Sequence, residues 1–372
     1  KKVLCLAPSK ELITQNHKKY LATGNPASIY CASVTKSLTH DVVFGSPRTV
    51  LNSIEKFGNN FAAIVIDEAH GITPTVKQII EEMRAKNKKI RVIGLTATPY
   101  RLGDGYIYQY NEQGEPLPDF QTKDPYFNTL VYKITASELI EMGFLTKPHA
   151  EPVHAQVYDT TGIINHTAAE YEQAFEGQGR KTSMIISEVV DIAQNRNGVM
   201  IFCATIQHAQ EALESLPPAN SRLVTGKTPK AEREEIIEGF KANKFKYLVN
   251  VSVLTTGFDA EHVDVVALLR ATDSVGLMQQ IIGRGLRLCQ GKNDCLVLDY
   301  AGNIERHCPD GDVFNPKIEA RYKASESFEM DAHCPDCGVK NTFKGRDNPE
   351  RFDHDANGYF VDLEGNHILI DE

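Results

Sequence analysis

Short β-branched apolar runs alternate with stretches of helical periodicity along most of the chain, and this alternation restricts the fold more than any other feature. The runs in the first half are VLCLAP (3–8), VVFGS (42–46), AAIVIDE (62–68) and RVIGLTAT (91–98). Those in the second half are GVMIFCAT (198–205), SRLVTG (221–226), YLVNVSV (247–253), VDVVALLR (263–270) and CLVLDY (295–300). Between them lie helical patterns such as TVKQIIEEMRAKNKK, with apolar residues at helix spacing and a basic end, and PKAEREEIIEGFKAN, with Pro first and acids early. Strands separated by helices can pair in parallel, so the expected class is α/β with parallel sheets. At 372 residues the chain exceeds one ordinary core and suits two or three domains.

The joining segment GYIYQYNEQGEPLPDFQTKDPYF, rich in Gly, Pro and aromatics, reads as irregular connector, followed by one helix at ASELIEMG. After Tyr300 the sequence turns polar and weakly periodic, which marks a small third module. The expected division is 1–130, a connector at 131–152, 153–305 and 306–372. The start KKVLCLAPSKEL runs directly into an apolar segment and HILIDE ends as abruptly, so the chain reads as a piece of a longer protein. No apolar run approaches the ~18 residues of a membrane span. Eight cysteines, mostly single, are the usage of a reducing compartment, and a cytoplasmic location is expected. A net charge of −9 argues against a whole-surface grip on nucleic acid, though not against a narrow channel built from backbone amides and a few cations.

SRLVTGKTPK (221–230) imitates the end of a phosphate-binding loop. That loop needs G-x-x-x-x-G-K-[ST], because its first glycine lets the backbone wrap the phosphates. Ser221 stands where the glycine should, and Pro229 follows GKT where the helix should continue. The chemistry is carried elsewhere. In IVIDEAHGIT an apolar strand delivers Asp67 and Glu68 to its carboxyl end, where open α/β sheets bind ligands. One carboxylate there can hold Mg²⁺ on a nucleotide while the other polarises water. H-E-x-x-H zinc spacing is absent. LTATPYR (95–101) adds the hydroxyls of Thr96 and Thr98 beside the same edge, and QQIIGRGLR (279–287), at helix spacing, is expected to put Arg284 and Arg287 three residues apart on one helical face. Arginines presented by one domain toward a nucleotide on another act as arginine fingers.

The ordered set APSKEL, FGSP, DEAH, TATP, MIFCAT, TTGFD and QxxGRxxR, spanning about residues 1–300, resembles the superfamily 2 helicases and translocases. Gln280 opening the last motif is similar to DNA-directed members more than to DEAD-box RNA helicases. IYQY after TATPYRLG, VLTTGFDAEHVD, KNDCLVLDYAGN and CPDCGVKNTF resemble the RadD (YejH-like) bacterial DNA-repair ATPases; restriction-enzyme motor subunits share much of the pattern.

The resemblance implies two tandem RecA-like domains, the first incomplete, and a zinc-ribbon-like segment. It implies ATP and Mg²⁺ as cofactors and DNA, single-stranded or branched, as partner, with a single-strand-binding or repair protein as a further one and no membrane. Asp67 would bind Mg²⁺, Glu68 orient water, and His70, Thr96 and Thr98 couple hydrolysis to motion. Gly257 and Asp259 would approach the nucleotide from the second domain, with Gln280, Arg284 and Arg287 completing the cleft. Ser9, Lys10, Gly45, Ser46, Thr205, Thr225, Gly226 and Thr255 would meet a nucleic-acid backbone. The phosphate loop of such proteins precedes APSKEL, so the isolated chain is expected to hydrolyse little ATP. Cys334 and Cys337 form half of a tetrahedral zinc site, with Cys308, His354, His367 or residues further on as the remaining ligands. The rival expectations are a docking module on a degenerate ATPase fold and the motor subunit of a restriction-type nuclease.

Overall fold

The computed structural model describes residues 1–150, 153, 158, 168–175, 177–251, 253, 258, 260–308, 310–314, 316 and 318, and, as backbone, the strands within 328–361. Side chains at 168, 169 and 172 lie outside this description.

In the first unit β1 (Lys2–Leu6) leads into α1 (Lys10–Leu21), then β2 (Ala27–Cys31), β3 (Thr35–Lys36) and β4 (Val42–Gly45). The short α2 (Pro47–Leu51), β5 (Phe61–Asp67), α3 (Pro74–Lys86) and β6 (Arg91–Leu95) follow. The strands form one sheet in the order β3-β2-β4-β1-β5-β6, parallel except for β2 with β3. Local chemistry sets the helix starts. Ser9 accepts the Leu12 amide and Thr73 the Val76 amide, and Pro74 occupies the first turn of α3. On one face Leu4, Leu6, Val43, Ile64 and Ile66 pack against Ile79, Ile80 and Met83 of α3. On the other, Ile29, Cys31 and Phe44 pack against Leu12 and Ile13 of α1. β6 is an edge strand whose Ile93 and Leu95 stay 46% and 52% exposed. Parallel sheets are ordinarily covered on both faces, whereas among the described residues this apolar face of β6 is left half-exposed.

Four short strands follow: β7 (Tyr100–Arg101) with β8 (Gly105–Tyr106), and β9 (Tyr108–Tyr110) with β10 (Phe127–Thr129). Phe127 lies over Gly94, where a Cβ would fall 2.6 Å from its ring. α4 (Ala136–Glu141) starts with a Thr135–Glu138 capping box. β11 (Lys147–Ala150), within the expected connector, is instead the edge strand of the second sheet, paired with β16.

The second unit contains α5 (Ala168–Phe175), α6 (Gly179–Ile192), β12 (Gly198–Cys203), α7 (Ile206–Glu214), β13 (Ser221–Val224) and α8 (Lys230–Lys241). It continues through β14 (Tyr247–Asn250), β15 (Val263–Leu269), α9 (Val275–Arg284), β16 (Asp294–Asp299) and α10 (Asn303–His307). Its sheet runs β11-β16-β15-β12-β14-β13, with all pairs parallel. The central β12 and β15 are buried throughout because helices cover both faces. Val199, Ile201, Val265 and Ala267 face one helix layer, while Met200, Phe202, Val266 and Leu268 face the other. The α/β class with two parallel sheets is therefore observed.

Beyond these, β17 (Phe328–His333) pairs antiparallel with β18 (Lys340–Gly345), and β19 (Asp353–His354) with β20 (Phe360–Val361). Cys334, Cys337 and His367 lie outside the described residues. Cys308 is buried in the apolar cluster beside α9, and burial pushes its thiol up to about 11. Among the described residues no group of three or more His, Cys, Asp or Glu could hold a metal.

Candidate functional site

The site lies where β5, β6 and α9 converge. β5 ends on Asp67, whose Oδ2 accepts from Asn16 Nδ2 of α1 at 2.7 Å and whose Oδ1 accepts from the Glu68 amide at 3.0 Å. Glu68 turns the chain sharply, in the left-handed region at φ 52°. A non-glycine residue there is strained, a cost that surrounding structure must sustain. The turn carries His70 back toward the strand end, with Nδ1 3.4 Å from the Glu68 carboxylate.

His70 links the two units. Its Nδ1 lies 2.9 Å from Thr96 Oγ1 and 3.3 Å from Thr98 Oγ1. On its other side Gln280 Nε2, from α9, lies 3.3 Å from His70 Nε2. An amide nitrogen can only donate, so Nε2 is the acceptor and Nδ1 carries the proton. That tautomer donates to Thr96, which accepts from the Thr98 amide at 3.1 Å and donates to the Thr98 carbonyl at 3.2 Å. The network is thus consistent from α9 to β6. Burial, then the Arg101 guanidinium, lowers the His70 pKa and favours this neutral form. Arg101 donates to the His70 carbonyl and, at 2.9 Å, to that of Ile72, holding the turn.

Burial, reinforced by Asp67, raises the Glu68 pKa, while the Arg284 charge opposes the rise. Arg284 is the last residue of α9, and its Nη1 donates to the Phe258 carbonyl at 2.6 Å. Burial lowers its pKa, and the charge of Glu68 acts against that shift. Arg287 does not share a helical face with it. α9 stops at Gly285, where an added Cβ would overlap Cys295 Sγ, and Arg287 lies in the turn beyond. There the connector residue Thr146 donates to its carbonyl at 3.0 Å.

The remaining positions follow the strand ends. Ser9 and Lys10 open α1, Gly45 and Ser46 end β4, and Thr205 caps α7 through the His208 amide at 3.1 Å. The Ser46 hydroxyl is 2.7 Å from Thr49 Oγ1. A cavity of about 250 Å³ joins Ala7, Ser46, Arg48, Asp67, Glu68 and Thr73. After β13, the carbonyls of Thr225, Gly226 and Thr228 all accept from Arg233 Nη2, at 3.2, 3.3 and 3.2 Å. A loop that turns carbonyls onto a cation has the opposite polarity to a phosphate cradle, so GKT is not one. Thr255, Gly257 and Asp259 lie outside the described residues. Asn16, Tyr100, Arg101 and Gln279 were not legible as site residues, because each is placed by a tertiary contact rather than by a motif.

The donor set suits one Mg²⁺-bound nucleotide in part. Asp67 is a single hard carboxylate at a strand end, and Mg²⁺ commonly takes one or two carboxylates with water and substrate phosphates. Glu68 and Arg284 add a base and a cation, but the sequence holds no phosphate loop.

Residues 1–101 match the family described as type III restriction enzyme, res subunit, and residues 180–289 the helicase conserved C-terminal domain. The Schizosaccharomyces pombe protein irc3, named a mitochondrial ATP-dependent helicase, is 29% identical over 257 residues, covering 66% of this chain and 39% of that protein. A 51.5 kDa Lactococcus phage protein is 24% identical over 352 residues, covering 91% of the chain and 69% of its own length. With IRC3 of Saccharomyces cerevisiae covered over 37%, the chain spans well under half the length of its two yeast relatives. Among solved structures, a fragment of an HsdR subunit of a type I restriction enzyme from Vibrio vulnificus superposes with TM-score 0.56 at 20% identity, covering 85% of this chain and 56% of that one. The DNA-bound type ISP restriction-modification enzyme LlaBIII superposes with TM-score 0.54 at 16% identity, covering 81% and 24%. These likenesses are of fold.

Proposed function

For this chain, which belongs to the superfamily 2 helicase family, we propose the motor part of a DNA-stimulated ATPase that moves along DNA, nearest in kind to the RadD-type repair enzymes. The observation that carries the reading is the hydrogen-bonded path from Gln280 through His70 to Thr96 and Thr98, which ties the candidate water-orienting turn to the second unit. ATP with Mg²⁺, when bound, supplies a phosphoryl centre open to attack by water. Asp67, fixed by Asn16, would hold the ion, and Glu68 would take the water's proton on a carboxylate oxygen. Its raised pKa suits that task. Arg284 and Arg287 would stabilise the charge that develops. The division into 1–130, 131–152, 153–305 and 306–372 belongs to the same proposal, with β11 at the end of the connector pairing into the second unit's sheet and with zinc at Cys334 and Cys337. The half-exposed apolar face of β6 supports a further strand and helix packing there, and these would bring the phosphate loop.

The deciding experiment measures ATP turnover by the whole protein with no nucleic acid, single-stranded DNA, duplex DNA or RNA. Stimulation by DNA that Glu68→Gln abolishes, with nucleotide binding retained, is expected. A folded wild type with an intact phosphate loop and no turnover under any condition would establish the docking module instead. The match of 1–101 to the res subunit favours one second reading, a restriction motor; turnover stimulated by duplex alone and dependent on a nuclease partner would select it.

A further inference from the structure

Gln279 precedes Gln280 on α9, and successive helix residues point about 100° apart, so the two cannot serve one partner. Both nevertheless reach the first unit. Gln280 meets His70, while Gln279 Oε1 accepts from the Tyr100 hydroxyl. The other end of the Gln279 amide is also used, because Nε2 donates to the Val313 carbonyl at 2.9 Å. Tyr100 is held in place by β7–β8 pairing with Tyr106 and by an edge-on ring contact with it at 5.9 Å. At the far end Val313 is buried in the cluster that contains Met278, Ile281 and Cys308. Its turn is closed by the Gly311 amide on the Cys308 carbonyl at 2.7 Å and the Phe314 amide on Asp312 Oδ1 at 2.8 Å. α9 approaches closely here, since a Cβ on Gly276 would sit 3.4 Å from Thr98 Cβ.

We propose that Tyr100 and Gln279 form a second latch between the two units, separate from the His70–Gln280 contact, which couples the position of the cleft to the 308–314 turn. An amide engaged at both ends cannot follow one unit without straining or breaking its bond to the other. Separation of Tyr100 from α9 leaves a half-buried acceptor unsatisfied and frees Gln279 to release Val313. The latch is therefore a positioning device rather than part of the chemistry. Its consequence for turnover rests on the motor reading above, but its existence does not.

The test uses the whole protein without nucleotide, so that it is read independently of hydrolysis. Interdomain distance is followed by fluorescence transfer between labels at the exposed Lys88 and Glu232, and hydrogen exchange is followed at 308–314. Tyr100→Phe should shift the closed-to-open ratio about fivefold and speed exchange in that turn, although the substitution lies in the other unit. Gln279→Met should act at least as strongly, and the double variant no more than Gln279→Met alone, because that variant has already lost the bond to Tyr100. Gln279→Glu keeps the acceptor for Tyr100 but loses the donor to Val313. It should loosen the turn while leaving the distance unchanged, and it serves if Tyr100→Phe folds poorly. Unchanged distance and exchange in folded Tyr100→Phe, or additive effects in the double variant, overturn the latch. Absence of DNA-stimulated turnover in the wild type would overturn the motor reading alone.

Discussion

His208 offers a sharp test of the second unit because its environment forbids a charge. It is 1% exposed on α7, with Nε2 2.9 Å from the Tyr158 hydroxyl, itself 3.0 Å from Thr182 Oγ1. The Ala204 amide points at Nδ1 from 3.5 Å, and Phe175 stacks on the ring at 4.5 Å. Protonating Nδ1 would set one N–H against another in an apolar pocket. Burial accordingly lowers the pKa from 6.5 to about 4. The folded state then binds the proton more weakly than the unfolded chain. The stability is complete above the unfolded value of 6.5 and drains away as pH falls toward the folded value of about 4. With about 1.4 kcal/mol per tenfold in proton affinity, the loss is about 2.5 kcal/mol by about pH 4.5. His208→Gln keeps a donor for Tyr158 but cannot charge. As the chain has no tryptophan, urea unfolding is followed by circular dichroism, with exchange on α7 assigning the transition to this unit. Between about pH 7.5 and about pH 4.5 the wild-type midpoint should fall about 1 M further than that of the variant. Equal shifts in the two proteins would refute the argument, since the acid sensitivity would then arise elsewhere.

Three further outcomes follow from the same geometry. Asp264, 3% exposed, accepts from the amides of Asn197 and Gly198 at 2.9–3.0 Å, so Asp264→Ala strands the buried Gly198 donor and should cost about 2 kcal/mol, read as a lower urea midpoint. Asn16→Ala removes the donor that orients Asp67, and the Mg²⁺ concentration for half-maximal turnover should rise about tenfold; an unchanged Mg²⁺ titration would separate Asn16 from the metal. Gln280→Ala cuts the link to His70 and should lower kcat about tenfold with little change in the affinity for nucleotide measured by direct titration, whereas weaker binding alone would make Gln280 a simple contact.

Local patterns announced the strands, and their physical reason is plain in β12 and β15: a strand covered on both faces must be apolar at every position. The same logic placed Asp67 and Glu68 at the end of β5, since an apolar run that stops at two carboxylates has reached the sheet's edge. Thr96 and Thr98 were legible for the same reason. The reach of α9 was less so. Residues 279–287 have helix spacing throughout, yet Gly285 ends the helix because β16 brings Cys295 against it, and no local signal encodes that approach.

The sequence by itself determined the α/β class, the two rows of strands and the acids and hydroxyls at their ends, because periodicity and residue chemistry are local. Tertiary structure alone decided which groups work together. β11 joined the second sheet from within an apparent connector, since strand pairing is settled by whichever edge is available. The proton on His70 was assigned by Gln280 from 210 positions away. Neighbouring glutamines, alike in sequence, were given different partners by a helix that turns about 100° per residue.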